Sequence, residues 1–269
     1  MKKTIITLLL LFGPFSIFNL HFSIAYAEDL YIGSFYVTST DEETLYGDDG
    51  DKWMNRRTTI CDMFNFEQPD VLGLQSLTEV QLAYINQRLT NHNAAGDILY
   101  SKALELDTCG IATDMPAGST CSWAKLRKGE KSFYVFNVCF SPETSIATTS
   151  ATRVLTFIGE VNTEKLPCFV IGNIGVNETK TVYTRFSARY YDCYTKATIR
   201  SAEYGTVNNF DLAANHGTDR FDFVFAPRNA TIKAYGQLQS SYFTKESDGS
   251  YKRRLPSTHF PVMAKVTLP

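Results

Sequence analysis

The chain has 269 residues, enough for one large domain or two small ones, and the lack of a linker rich in Pro, Gly or Ser favours a single domain over residues 28–269. Apolar residues make up 44% of the composition and charged residues 20%, which excludes a disordered or collagen-like chain. The formal net charge of -2 predicts no general affinity for nucleic acid.

The first 27 residues have the pattern of a signal peptide. Two lysines precede an apolar run over residues 5–22, and Ala25 and Ala27 are the small residues that a signal peptidase reads. We predict cleavage before Glu28, a secreted or periplasmic location, and no transmembrane segment after cleavage. No cysteine follows the cleavage point, which argues against a lipid anchor. An uncleaved anchor is the alternative, because the apolar run is long for a signal peptide.

Helix and strand patterns alternate in the first half of the chain. The predicted elements, in order, are a strand over residues 30–37, an acidic loop over 41–51, a helix over 53–66, a strand over 71–74 and a helix over 78–89. In the first helix, Arg56 and Arg57 are predicted to face outward. In the second, Val80, Tyr84 and Leu89 are predicted to face the core.

The second half is richer in strands. Residues 91–118 are the least regular stretch. The predicted elements, in order, are a weak strand over residues 98–106, a hairpin with strands over 122–126 and 133–140, a helix over 148–161, and strands over 168–171, 220–226 and 262–268. This order predicts an α/β (α+β) protein, a mixed sheet system with helices outside.

The six cysteines would meet an oxidising compartment if the chain is exported, so disulfides are allowed. None has Cys-x-x-Cys spacing, which gives a structural zinc site little support. Cys109 and Cys121 lie in or beside the irregular stretch, and we predict that they form a disulfide. Cys61, Cys168 and Cys193 are interpreted as small, buried apolar side chains.

Five segments in a fixed order resemble the endonuclease/exonuclease/phosphatase family. They are PDVLGLQS (residues 69–76), CSWAKLRKGEKSFYVFNVCF (121–140), LPCFVIGNIG (166–175), RFDFVF (220–225) and LPSTHFPVMAKVTL (255–268). The family includes DNase I-like nucleases and sphingomyelinase-like phosphodiesterases, and the resemblance covers residues 30–268. It implies a four-layer α/β sandwich, in which two mixed β-sheets pack face to face with outer helices and the active site lies at one end.

The resemblance also implies a divalent metal held by oxygen ligands, with two histidines that handle protons and phosphate charge. Two site positions match, Asp222 and His259, and Asn208 or Asn209 matches a substrate-facing Asn more loosely. The other positions are substituted, namely Tyr36 for Asn, Ser76 for Glu, Cys139 for His, Asn173 and Gly175 for the Asp and Asn of Gly-Asp-x-Asn, and Thr258 for Asp.

These residues are expected to converge at one end of the sandwich. Because Thr258 is uncharged, His259 is expected to lack the adjacent carboxylate that would orient it. Since every metal-ligand carboxylate that can be placed is substituted, we predict a secreted, non-catalytic relative that binds an unknown ligand or protein partner, needs no cofactor and is a monomer.

Two alternatives remain open. The first is a divalent-metal-dependent phosphoesterase or phosphodiesterase, nuclease-like or sphingomyelinase-like, in which acids of loop 41–51 rebuild the site and hold Mg²⁺. The second is a hydrolase in which Cys139 is the nucleophile and His259 the base.

Overall fold

The computed structural model of the protein describes residues 29–202, 204–212 and 217–269, so the predicted signal peptide lies outside the described residues. The strands are β1 (Asp29–Tyr36), β2 (Val71–Gln75), β3 (His92–Ala95), β4 (Ile98–Ser101), β5 (Glu105–Ile111), β6 (Thr120–Lys128), β7 (Lys131–Cys139), β8 (Cys168–Asn173), β9 (Tyr190–Asp192), β10 (Ile199–Arg200), β11 (Asp222–Pro227), β12 (Thr231–Gln237), β13 (Tyr242–Lys245), β14 (Tyr251–Arg254) and β15 (Val262–Thr267). The α-helices are α1 (Glu43–Tyr46), α2 (Trp53–Glu67), α3 (Glu79–Arg88), α4 (Thr144–Val161), α5 (Thr181–Ser187) and α6 (Cys193–Lys196). No helix in these ranges is long and apolar enough to cross a bilayer.

Two mixed sheets hold most of the strands. One has seven strands in the order β10-β12-β15-β1-β2-β4-β3, and the other has six in the order β5-β6-β7-β8-β11-β9. In each, a parallel pair (β1 with β2, β7 with β8) is flanked by antiparallel neighbours. Apolar side chains between the sheets, including Ile32, Val71, Phe133, Phe169 and Val266, are fully buried. Burial of this apolar surface holds the sheets face to face.

Helices cover both outer faces. On the seven-stranded sheet, Phe64 of α2 and Ile85 of α3 pack with Phe35 and Leu74. On the six-stranded sheet, residues of α4 and α5 pack against β7, β8 and β11 in a second outer cluster. The layers therefore follow the order α/β/β/α, and the predicted four-layer sandwich is confirmed.

Two residues of the predicted helix faces are misplaced, whereas Leu89 is buried as predicted and Tyr84 packs against the core. Val80 is 74% exposed, because the side of α3 that meets the sheet carries Gln81, Ile85 and, just beyond the helix, Leu89. Arg56 of α2 is fully buried. Its guanidinium pairs with the carboxylate of Glu43 at 2.9 Å, so the buried charge is compensated.

The acidic stretch 41–51 also differs from a plain loop. It contains α1 and a 3₁₀ turn at Asp49–Asp51, and the turn is closed by a capping box between Asp48 and Asp51. The strand β12 was not predicted, although its exposed and buried residues partly alternate.

The predicted disulfide between Cys109 and Cys121 is wrong, and all six cysteines are free. Cys109 lies opposite Ala124, which packs between the sheets, whereas Cys121 lies opposite Val138 in the outer cluster under α4. Opposed residues of an antiparallel pair share a face. The two thiols therefore lie on opposite faces of the sheet and cannot be bridged.

Candidate functional site

The positions that were compared with the family's site pattern, both substituted and matching, lie at one end of the sandwich, because strands of both sheets end there. Tyr36 ends β1 beside Gln75 of β2, and Cys139 ends β7 beside Asn173 of β8. Asp222 begins β11 directly opposite Asn173. Ser76 follows β2, and Thr258 and His259 come shortly before β15.

His259 has a carboxylate partner after all, and this corrects the expectation drawn from Thr258. Its Nδ1 lies 2.7 Å from Oδ2 of Asp222, and the Asp222 side chain is 1% exposed. The other oxygen of Asp222 accepts a hydrogen bond from Nδ2 of Asn173 at 2.9 Å. The amide oxygen of Asn173 accepts one from the backbone N–H of Gly175 at 2.8 Å. Both oxygens of this buried carboxylate are therefore bonded by protein groups.

Thr258 belongs to a neutral cluster of hydroxyls. Its Oγ1 lies 2.6 Å from Oγ1 of Thr38, which also lies 2.8 Å from Oγ of Ser257. All three side chains are buried. A carboxylate in the place of Thr258 would be buried among hydroxyls, and the nearby guanidinium of Arg56, which donates to the carbonyl oxygen of Thr38, is already paired with Glu43.

The carboxylate that enters the site comes from the acidic stretch. Oε1 of Glu42 accepts a hydrogen bond from the hydroxyl of Tyr36 at 2.7 Å, and Oε2 accepts one from the hydroxyl of Ser76. Ser76 has a left-handed backbone with φ of 45°. The acids near Glu42 in the same stretch pair with arginines instead, Glu43 with Arg56 and Asp51 with Arg254. The sequence indicates that this stretch is a source of acids, but no pattern in it singles out Glu42.

Tyr36 stands where the family pattern has a metal-binding Asn. Its ring stacks on the imidazole of His259, with ring centroids 4.2 Å apart and planes inclined by 20°. Burial, and then the hydrogen bond to Glu42, raise the pKa of Tyr36. The phenol therefore stays protonated and remains a donor to Glu42.

Cys139 is not a ready nucleophile. Burial, and then the charge of Glu42, raise the pKa of its thiol to about 12. The thiolate is the reactive form of cysteine, and it is scarce at neutral pH when the pKa is this high. The high pKa of the thiol disfavours the Cys139–His259 hydrolase.

A cavity of about 310 Å³ opens among these groups. Asn209 lines it, whereas the side chain of Asn208 turns to the backbone N–H of Phe210 at 2.8 Å and leaves its buried Nδ2 without a partner among the described residues. Gly175 also lines it, with φ of 74°, and a Cβ there would lie 2.2 Å from the carbonyl oxygen of Ser141. The close approach of this backbone explains why no larger residue stands at position 175.

The donor set does not fit a divalent metal. Mg²⁺ takes six ligands, mainly oxygens, in near-octahedral geometry. Here the two nearby carboxylates, Glu42 and Asp222, accept hydrogen bonds on every oxygen, and the ring of Tyr36 takes the place of an oxygen donor. Across the described ranges no three His, Cys, Asp or Glu side chains are grouped so as to hold a metal ion.

A second cavity, of about 470 Å³, opens at the same end of the sandwich and was not predicted. Apolar side chains such as Leu77, Leu82 and Ile111 line it together with Asp97 and Ser122. Ser122 donates a hydrogen bond to Asp97, and burial raises the pKa of this carboxyl. Several lining residues come from the stretch 91–118, which carries no clear periodic pattern.

Solved structures with the same arrangement identify the class of fold. An endonuclease/exonuclease/phosphatase family protein from Bacteroides thetaiotaomicron matches with a TM-score of 0.80 and 23% identity, over 90% of this chain and 98% of that chain. A mannosyl-6-phosphatase from the same species matches with a TM-score of 0.79 and 23% identity, over 89% of this chain and 100% of that chain. Danio rerio TDP2, complexed with a single-strand DNA product, matches with a TM-score of 0.63 and 14% identity, over 89% of this chain and 99% of that chain.

The chain therefore has a phosphoesterase fold. More particularly, it has the fold of the endonuclease/exonuclease/phosphatase, or DNase I-like, family, as the five sequence segments predicted. No family model matches the sequence, and no curated protein matches it. At these identities the structural likeness establishes the fold, whereas activity depends on the site itself.

Proposed function

We propose that this protein is a secreted, non-catalytic relative of the phosphoesterases that binds a small ligand in the cavity beside His259. One observation carries the proposal. Every oxygen of Glu42 and Asp222, the two carboxylates at the site, already accepts a hydrogen bond from a protein group. A metal would have to compete with these donors, and among the described residues no three His, Cys, Asp or Glu side chains are grouped so as to hold one.

Phosphoester cleavage in sites of this kind depends on a metal ion. A metal in such sites polarises the phosphoryl oxygen, lowers the pKa of the attacking water and stabilises the charge of the leaving group. His259 with Asp222 retains the arrangement of a general base. A base alone supplies only part of this catalysis. The cavity itself remains open at about 310 Å³, at the lower end of the range for small-molecule sites.

The competing function is a phosphoesterase with a rebuilt metal site. Glu42 favours it, because its carboxylate reaches Ser76, the position of the family's metal-binding Glu. Metal binding would have to compete with the hydrogen bonds that Glu42 accepts from Tyr36 and Ser76, and further oxygen ligands would have to enter. The lack of a group of three His, Cys, Asp or Glu side chains among the described residues therefore favours the non-catalytic function.

Turnover measurements separate the two functions. Wild-type protein and His259→Ala are assayed with Mg²⁺ or Mn²⁺ against bis-p-nitrophenyl phosphate, p-nitrophenyl phosphate, DNA and sphingomyelin. We expect both proteins to give the rate of the buffer alone. Metal-dependent turnover in the wild type that His259→Ala abolishes would overturn the proposal.

A further inference from the structure

The cavity beside His259 carries negative charge that no Lys or Arg of its described lining offsets. Glu42 lines the cavity and Asp222 lies behind His259, and no Lys or Arg is among the described residues of the lining. Asp222 is paired with His259. Among the described residues, Glu42 has no Lys or Arg partner in the lining.

Glu42 differs from the two buried acids of the same stretch, Glu43 and Asp51. Glu43 pairs with Arg56 at 2.9 Å, and Asp51 pairs with Arg254 at 3.0 Å. Glu42 instead receives neutral donors, the hydroxyls of Tyr36 and Ser76. Each carboxylate oxygen has a second lone pair, so Glu42 can accept further hydrogen bonds from a ligand.

Part of the lining is aromatic. Tyr36, Tyr46 and Phe221 line the cavity together with Glu42, and Tyr46 is 53% exposed. Aromatic ring faces attract cations, most strongly where water is partly excluded. A phosphate group would meet the opposite conditions, because its charge would be repelled by the carboxylates.

We propose that the ligand of this cavity is a small organic cation, an alkylammonium group that pairs with Glu42 and contacts the surrounding rings. This inference rests on the proposed non-catalytic function. An ammonium group needs one carboxylate and apolar contacts, whereas a divalent metal needs several oxygen ligands that are absent from the described site. The preference for a cation reverses the charge of the phosphate groups that phosphoesterases bind.

Binding measurements with three probes test the ligand class. Tetramethylammonium and n-butylammonium are titrated into wild-type protein by calorimetry and saturation-transfer NMR, with inorganic phosphate as the anionic probe and methyl α-mannoside as the neutral one. We expect saturable binding of the ammonium probes alone. Saturable binding of phosphate or the mannoside without the ammonium probes would overturn the inference.

Variants then assign the binding to Glu42. Glu42→Gln keeps the shape and removes the charge, and we expect it to weaken ammonium binding by about tenfold or more, equivalent to about 1.4 kcal/mol. Asp41→Asn is the matched control, since Asp41 is exposed and outside the lining, and its affinity should equal that of the wild type. Unchanged affinity in Glu42→Gln would refute the assignment.

Two further readouts keep the outcome decisive. If Glu42→Gln fails to fold, Tyr46→Leu removes a ring at the rim and should weaken ammonium binding with the charge intact; unchanged affinity would count against the inference. Absence of ammonium binding together with absence of phosphoester turnover would defeat this inference alone. Metal-dependent turnover would defeat the proposed function on which it rests.

Discussion

The two carboxylates of the site are built in opposite ways. Asp222 begins a central strand, is 1% exposed on its side chain, and is fixed between Asn173 and His259. Glu42 lies in a connecting segment, is half-buried, and receives Tyr36 and Ser76. The first is a structural part of the sandwich end. The second brings charge to the cavity from outside the sheets, and such a group can meet a ligand without disturbing the core.

The largest effect on stability is expected at Gly175, where two backbone segments pack closely beside the site. Gly175→Ala puts a Cβ 2.2 Å from the carbonyl oxygen of Ser141 at a φ of 74°, and we expect it to lower the free energy of unfolding by about 3 kcal/mol or more. Gly249→Ala is the control, since its φ is 87° but its Cβ meets open space, and about 1 kcal/mol is expected. Urea unfolding measures both. Equal losses would mean that close packing at Gly175 is unimportant.

The next effect distinguishes the two carboxylates directly. Asp222→Asn replaces an acceptor oxygen with a donor beside Asn173 or His259 in a buried site, and we expect a loss of about 3 kcal/mol in the free energy of unfolding. Glu42→Gln keeps one acceptor in a half-buried position and should lose about 1 kcal/mol. If Glu42→Gln is as destabilising as Asp222→Asn, Glu42 is a structural group and the contrast between the two is wrong.

The cysteine thiols should differ in reactivity according to their exposure. Cys109 is exposed, whereas Cys61, Cys121, Cys168 and Cys193 are buried. Burial raises the pKa of the half-buried Cys139 thiol to about 12. Titration of the native protein with Ellman's reagent should give one fast thiol, which Cys109→Ser removes. Fast labelling of Cys139 would restore the nucleophile hypothesis. If the unfolded protein titrates two fewer thiols without reductant than with it, the predicted disulfide would be restored.

The last effect appears only at alkaline pH and is absent at neutral pH. The ordinary pKa of a cysteine thiol is 9.0, and burial raises that of Cys139 to about 12 in the folded protein. Its contribution to stability is therefore complete below pH 9 and is lost as the pH rises toward 12, because the unfolded chain loses the proton first. In this range Cys139→Ala should flatten the decline in the free energy of unfolding by up to about 1.4 kcal/mol per pH unit. An unchanged slope would contradict the raised pKa.

Much of the fold was predictable because its strands are apolar and short. The patterns at β1, β2, β7, β8, β11 and β15, with α2 and α4, predicted elements close to those observed. The buried face of α2 was harder to predict, because Arg56 is buried by its ion pair with Glu43, a residue outside the helix whose position the helical pattern does not reveal. The disulfide prediction failed because strand register, which the sequence pattern did not reveal, places Cys109 and Cys121 on opposite faces.

The site was predictable only where residues sit at strand ends. Segment order was enough to bring Tyr36, Ser76 and Asn173 to the same end. The partnership of Asp222 with His259 joins residues 37 positions apart, and it depends on how β11 lies beside the turn before β15. The entry of Glu42 depends on the path of a short irregular segment, for which no periodic pattern exists.

Calorimetric titration of Mg²⁺ into wild-type protein and Glu42→Gln is the most direct test of the central claim, that the described residues at this end of the sandwich do not assemble the ligands of a divalent metal. This claim predicts no saturable heat at millimolar Mg²⁺ in either protein. A saturable one-to-one binding heat in the wild type that disappears in Glu42→Gln would contradict it, and would identify Glu42 as a metal ligand of a working phosphoesterase site.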